Sequence, residues 1–407
     1  MLFRKANMTD SLKPFYLQNL SKVPLVYSSL VVPTIRLNEI SDFLLSWESL
    51  DCFPKDVHIV YDGHSSGFKD FSELLDLIKI KEYGLHFHSW DATYIGSSDR
   101  NLIDYLPIPI DLFEYAGFSC FSKKDSAIRS YGFLQACSLN AKKKRSEYRE
   151  HVVFTLDDDC RPSKGERGRD FFKSHLSNLF DFNVWSSTVP GVRVRGVPYF
   201  TNTTHLYKPF VSMSVGTWEG MPDFDSIQRI GNPSLEKAVL PLLHGPVLAH
   251  PSVVYPICGM NLAFIDSILP YALFPPMGAL SNYKRFDDIW FGLFAQAALK
   301  LSGDAWCYGY PNLDHLRLSD RMNCLVAEAS GIRLNEDVWR GLEWVLSNHS
   351  APPEDAKTDA GVMSNYIAEA MMTLTPDKGG FSQECCDYFK LWAKAVIDWN
   401  RLIMRYV

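Results

Sequence analysis

Two spacings of apolar residues alternate along the first half of the chain. Short apolar-rich runs at 25–32, 57–61, 85–90 and 152–156 read as buried strands. Between them, residues 38–50 place Ile40, Phe43, Leu44 and Trp47 at helical spacing, and 71–80 reads as a second helix. Residues 122–139 form a third, with Ser122 as N-cap and Asp125 three positions on as its capping-box partner. Pro33 stops the first strand, and Asp62-Gly63 is a turn signal after the second. Repeated β-α units predict an α/β fold with a mostly parallel central sheet flanked by helices.

The second half is less regular. Residues 187–256 are rich in Pro, Gly and aromatics, with a strand-like piece at 210–215. A short apolar strand follows at 260–264, and 287–301 reads as a helix with two acids in its first turn. Beyond about Trp344, segments 362–374 and 383–406 read as amphipathic helices joined by a Pro/Asp/Gly linker. There is no internal repeat and no low-complexity tract.

Composition adds exclusions. The 407 residues are 46% hydrophobic and 22% charged, as in a globular protein, and the 14% aromatic content suits a thick core or sugar-stacking surfaces. A net charge of −6 offers no global field for nucleic acid or anionic membrane. Basic residues do flank the 152–156 strand: Lys142 to Arg145 before it, and Arg161, Lys164, Arg167 and Arg169 after it. Such runs are usually solvated loops. The first residues lack the apolar stretch of a secretory signal. The most apolar segment, 253–280, is broken by Pro256, Asp266, Pro270, Pro275 and Pro276, so it reads as core and no membrane span is expected. Nine cysteines without a CxxC pair argue against a disulfide framework and against a zinc site, and fit a reducing cytoplasm.

The chemistry concentrates at the end of the 152–156 strand, in Asp157-Asp158-Asp159. Strand C-termini are where α/β sheets bind ligands. Three adjacent carboxylates repel one another, and a hard divalent ion, Mn²⁺ or Mg²⁺, would relieve that and bridge to phosphates. A solvated acidic turn is the plainer alternative. The loop Pro33-Thr34-Ile35-Arg36 ends the first strand, where backbone and Arg36 would hold a nucleotide, and Asp62 would touch base or ribose. Lys123 or Arg129 would reach a diphosphate, unless Asp125 and Arg129, spaced i and i+4, simply pair on a helix surface. Asp287-Asp288 open a helix, where the dipole alone favours acids; the functional reading makes Asp288 the proton acceptor, with Asp287 as backup. His315 is the remaining candidate, as a metal ligand or as a structural histidine.

These blocks together resemble the reversibly glycosylated polypeptide family, which includes UDP-arabinopyranose mutases. The matching segments are Val32 to Arg36, Asp62-Gly63, Ser122 to Ala127, Leu156 to Cys160, Val194-Arg195-Gly196, Trp218 with Pro222 to Asp225, Pro256 to Phe264, Arg285 to Trp290, and Pro311 with His315. The resemblance implies a GT-A fold over residues 22–345, with 346–407 as a helical C-terminal appendage. It implies a UDP-sugar donor and a divalent metal, usually manganese, on Asp157, Asp159 and His315. It also implies donor contacts from Asp158, Arg195, Trp218, Asp223 and Asn261. For Arg195 an ordinary surface ion pair is the alternative.

One position departs from the family. Its reversibly glycosylated arginine lies seven residues before the arginine matching Arg195, and an ungapped count puts Thr188 there; Arg193 is at the wrong spacing. The sequence-level expectation is therefore a metal-dependent glycosyltransferase moving a sugar, such as the pentose arabinose, from UDP to an acceptor hydroxyl. The acceptor is open: a glycan, a small molecule, a protein or a modified nucleic acid. The alternatives are a UDP-sugar pyranose/furanose mutase and a non-catalytic UDP-sugar-binding subunit. Homo-oligomer formation is left open.

Overall fold

A computed structural model describes residues 26–62, 83–89, 93–96, 128–142, 150–185, 195, 205–219, 225–232, 245–250, 253–255, 257–275, 277, 283–316 and 320–407. The expected helix at 71–80, the proposed cap of Ser122 and Asp125, and the site candidates Lys123 and Asp223 lie outside them, as do Thr188 and Arg193.

The expected β-α order is present. Strand β1 (Val26–Thr34) leads to helix α1 (Leu37–Trp47), then β2 (Asp56–Tyr61), β3 (Gly84–Ser89) and β4 (Thr93–Gly96). Helix α2 (Ile128–Lys142) precedes β5 (Glu150–Leu156) and the short β6 (Cys160–Pro162). After α3 (Phe171–Phe180) come β7 (Val184–Trp185) and β8 (His205–Tyr207), which pair with each other, then β9 (Val211–Glu219) and α4 (Ser226–Gly231). Strands β10 (Val247–Leu248) and β11 (Asn261–Ile265) lead to α5 (Asp287–Ser302) and β12 (Ala305–His315). The chain closes with α6 (Arg321–Asn348), α7 (Ala360–Met372) and α8 (Gln383–Tyr406).

Among the described residues the main sheet runs β10-β12-β9-β11-β5-β1-β2-β3-β4, with β6 paired to β12. Its first half is parallel, β5, β1, β2 and β3 side by side. The second half is not: β11 is antiparallel to both β5 and β9, while β12 is parallel to β9. The sheet is thus mixed, with parallel pairing confined mostly to the repeated β-α units. Helix α2 covers one face, and Phe133 meets Phe264 edge-on there at 5.1 Å. The other face is covered by α1 and α3, through Trp47 against Phe171 and Phe172, and Phe172 against Phe154.

The C-terminal helices are not an appendage. The expected boundary at 345/346 falls inside α6, and α7 and α8 share the core of the sheet domain. Trp392 packs on Phe294, Tyr388 on Trp290, and Trp399 Nε1 donates to the Leu269 carbonyl at 3.0 Å. Ser364 Oγ donates to the carbonyl of Pro270 at 3.1 Å. Large aromatic faces on both partners exclude water only when docked, so the helices belong to the same buried unit.

One buried histidine makes the fold acid-sensitive. His175 on α3 bonds Ser214 Oγ at 2.8 Å and Asn261 Oδ1 at 2.9 Å, and burial pushes its pKa down to about 3. The folded ring is neutral, whereas the unfolded ring protonates near pH 6.5. The unfolded state therefore binds the extra proton first, and stability is lost as pH falls from about 6.5 toward 3. The urea midpoint should drop across this range, and His175→Gln should flatten the dependence; an unchanged slope in that variant would remove the assignment.

Candidate functional site

The acidic triplet sits at the end of β5, in a turn closed by the Cys160 N–H donating to the Asp157 carbonyl at 3.0 Å. A turn sends successive side chains in different directions, and each acid meets a different partner. Asp157 pairs with Arg129 of α2. Asp158 accepts from Thr34 Oγ1 at 2.6 Å and from Arg36 Nε at 3.1 Å, with Arg36 Nη2 on its other oxygen. Asp159 has the His315 Nε2 atom 3.5 Å from its Oδ1, and Arg36 Nη2 3.5 Å from its Oδ2.

Strand pairing explains who meets whom. Parallel pairing of β1 with β5 brings the β1 exit, Thr34 to Arg36, alongside the acids. The Arg36 N–H donates to Thr34 Oγ1 at 2.8 Å, and the Asp62 N–H to the Thr34 carbonyl at 2.9 Å, so the exits of β1 and β2 are tied together. Asp62 is buried and Pro33 half-buried. Antiparallel pairing of β6 with β12 sets His315 opposite Cys160, and the Leu316 N–H donates to the Asp159 carbonyl at 3.0 Å. A register shift between Gly309 and Asn312 bends β12 just before His315, as bulges do when they re-aim a strand end.

Arg129 is the hub of the site, and its role differs from the surface contact weighed from sequence. It is 3% exposed. Its Nη1 donates to Thr155 Oγ1 and, at 2.6 Å, to the carbonyl of Gly259, while Nη2 holds Asp157. Burial alone would lower the pKa of both Arg129 and Arg36. The carboxylates override it, Asp157 for Arg129 and Asp158 for Arg36, so both stay charged. Burial pushes the Asp158 carboxyl up, against the pull of Arg36 and Thr34. The mutual repulsion of the triplet is therefore relieved in large part by two arginines.

The second acidic run reaches the same guanidinium through the charge of Asp288. Asp287 is buried at the start of α5, and Asp288 lies close enough to the Arg129 guanidinium to help hold its charge. Asp288 Oδ2 accepts from Cys258 Sγ at 3.3 Å, and Oδ1 accepts from the Ile289 N–H at 2.9 Å. Just before this helix Arg285 has φ of 64°, a strained left-handed backbone for a long side chain, and its Nε lies 3.4 Å from Glu328.

Two expected donor contacts are placed otherwise. Asn261 is fully buried; both amide hydrogens go to the carbonyls of Thr217 and Pro311, and its oxygen meets His175. It holds β9, β11 and β12 together, which removes it from the donor. Trp218 is half-buried with its Nε1 donating to Met260 Sδ at 2.8 Å, so its polar end is used by the protein. Arg195 is exposed in a turn between undescribed segments. Sequence reading missed Thr155, Gly259, Cys258 and Arg161. Arg161 Nη1 donates to the carbonyls of Asp158 and Cys160, bracing the acidic turn. Cys258 and Gly259 lie in the matching block Pro256 to Phe264 and Arg161 in a basic run, but nothing in one dimension assigns them these contacts, which pairing and packing create.

The expected ligands Asp157, Asp159 and His315 do not close into one cluster, because Asp157 is drawn aside by Arg129. Asp159 and His315 do converge, and His315 Nδ1 is buried without a hydrogen-bond partner. An imidazole and a carboxylate side by side suit a Mn²⁺-class ion.

The fold thus defines an α/β protein with a cluster of paired charges at the exits of β1, β2 and β5. The model of the reversibly glycosylated polypeptide family matches residues 114–396, more than half of the chain, and the chain belongs to that family. A relative from Solanum tuberosum, named probable UDP-arabinopyranose mutase 2, is 26% identical over 400 residues, covering 91% of this chain and 88% of its own. UDP-arabinopyranose mutase 1 of Arabidopsis thaliana is 28% identical over 345 residues, 78% and 79% of the two chains. Against probable UDP-arabinopyranose mutase 4 of Arabidopsis thaliana the chain is 28% identical over 241 residues and spans 58% of that relative's length. Among solved structures, one titled S. aureus TarS 1-349 aligns over 93% of this chain and 91% of its own at 9% identity, with a TM-score of 0.35, too loose a likeness to carry an argument. Among the described residues no helix is long and apolar enough to cross a membrane.

Proposed function

We propose that this protein is an enzyme acting on a UDP-sugar, and that its reaction is the interconversion of pyranose and furanose forms of a UDP-pentose. Family membership, with relatives named UDP-arabinopyranose mutases, carries this reading. The site supports it from the chemistry side. The β1 and β2 exits supply Thr34, Arg36 and Asp62 for a nucleotide, and Arg129 holds Asp157 while feeling the charge of Asp288. Asp288 is the group proposed to accept a proton from a sugar hydroxyl. Asp159 and His315 would hold Mn²⁺ or Mg²⁺, with Asp157 adjacent; such an ion supplies charge neutralisation for the diphosphate.

A second reading, transfer of the sugar to an acceptor hydroxyl, rests on Thr188 standing where the family's modified arginine is counted. One experiment separates the two. Incubation with UDP-arabinopyranose and Mn²⁺ should yield the furanose isomer with no acceptor present and without stoichiometric UDP release. Intact-mass spectrometry of the same sample reads a pentose adduct on the protein. UDP release that requires an acceptor, with no furanose formed, would replace the mutase by the transferase. Neither product would leave a binding role.

A further inference from the structure

At the opposite end of the parallel strands lies a second constellation that the donor site does not use. Asp56 and His58 alternate on β2, so their side chains share one face of the sheet. Parallel pairing sets His86 of β3 directly beside His58, and His88 follows on the same face. Asp56, His58 and His86 each present one nitrogen or oxygen, and these donor atoms all lie within 4.8 Å of one another. All three residues are buried, at 3%, 1% and 2% exposure.

We infer that Asp56, His58 and His86 bind a divalent transition metal of the zinc class that pins β2 to β3 beneath α2. The donor set is right for such an ion: two imidazoles and one carboxylate, with no thiolate. The positioning contacts around it are also present. Tyr27 of β1 donates its hydroxyl to Asp56 Oδ2, and His58 Nδ1 shares a hydrogen bond of 3.0 Å with His88 Nε2. Metal-binding histidines are held by such a bond on their other nitrogen.

An ion-free explanation is incomplete. His86 Nε2 lies 2.9 Å from Asp56 Oδ1, a sound pair by itself. Yet His58 Nε2 and His86 Nδ1 are both buried with no hydrogen-bond partner, an arrangement proteins rarely tolerate. His58 also stacks on His86 at 4.6 Å and on His88 at 5.2 Å.

The location argues for a structural ion. Asp56 opens β2, whereas the nucleotide end lies past Tyr61, roughly 17 Å along a six-residue strand. The cysteine pattern argued against a zinc site because it reports thiolate ligands only; these ligands are two histidines and an aspartate gathered by strand pairing.

The test uses tag-free full-length protein, dialysed against buffer without metal and then analysed by plasma mass spectrometry. About one zinc-class ion per chain is expected, retained in Asp159→Asn and lost in His58→Gln. Protein that is folded and metal-free as isolated, and takes up no Zn²⁺ on titration, would overturn the inference, as would equal metal content in His58→Gln. Because that variant could misfold, His86→Cys loaded with Co²⁺ gives an independent reading. A thiolate-to-cobalt charge-transfer band, absent from the Co²⁺-loaded parent, is expected; its absence from folded, cobalt-loaded His86→Cys would sink the assignment.

Discussion

Asp288→Asn should lower kcat by about 10²–10⁴-fold while leaving UDP-sugar affinity nearly unchanged, because a proton acceptor acts on the barrier more than on binding. The substitution keeps shape and removes the basic oxygen. Asp288 sits in the first turn of α5, beside Cys258 Sγ and within the field of Arg129, which ties it to the Asp157 side of the site. Either proposed chemistry, ring interconversion or transfer to an acceptor, requires a proton to leave a sugar hydroxyl, so the effect is expected under both. Steady-state kinetics paired with calorimetry checks it. If affinity collapses with the rate, Asp288 contacts the ligand or supports the fold, and the assignment fails. Asp287, buried at the helix start, is expected to act on stability instead.

Arg129→Met should cost about 1.5–3 kcal/mol of stability, the range for a hydrogen bond to a charged group, because Arg129 is buried while Asp157 is partly exposed. The variant leaves Asp157 without its counter-charge and the carbonyl of Gly259 without its donor. The same change should weaken nucleotide binding, since Asp157 would no longer be held and the triplet would lose one of its two arginines. Urea unfolding gives the first number, and Asp157→Asn in the Arg129→Met background gives the coupling: partial recovery is expected, because the stranded charge is gone. A loss below about 1 kcal/mol would mean that water replaces Arg129 without penalty, and its place at the centre of the site would fall.

The two predictions depend on contacts of unequal visibility in the sequence. Asp157 and Asp288 stand in acidic runs at predicted element ends, where ligand sites collect. Their common neighbour, Arg129, looked like a helix-surface residue because Asp125 lies four positions before it. Only the packing of α2 onto the β5 exit turns its guanidinium inward.

What the sequence determined by itself is the first half of the architecture. Runs of apolar residues with β-α alternation are local signals, and β1, α1, β2, β3 and β5 appear within a few residues of expectation. The positions of the acids at strand and helix ends are local too, and they survive folding. The tertiary structure decided the rest. Strand β12 carries Gly309, Pro311, Asn312 and Asp314, poor strand formers, and it is a strand because β9 and β10 pair with it. Helix α6 runs through the boundary expected at 345/346, α8 joins the core through Trp392 on Phe294 and Trp399 on the segment after β11, and α7 through Ser364 on that same segment, because those faces find their partners outside the C-terminal region. The fate of the acidic triplet was equally non-local. Repulsion among three adjacent carboxylates is legible in one dimension, but Arg36, Arg129 and His315, which answer it, arrive from three separate elements. Strand pairing and helix docking set those distances, and no spacing along the chain encodes them.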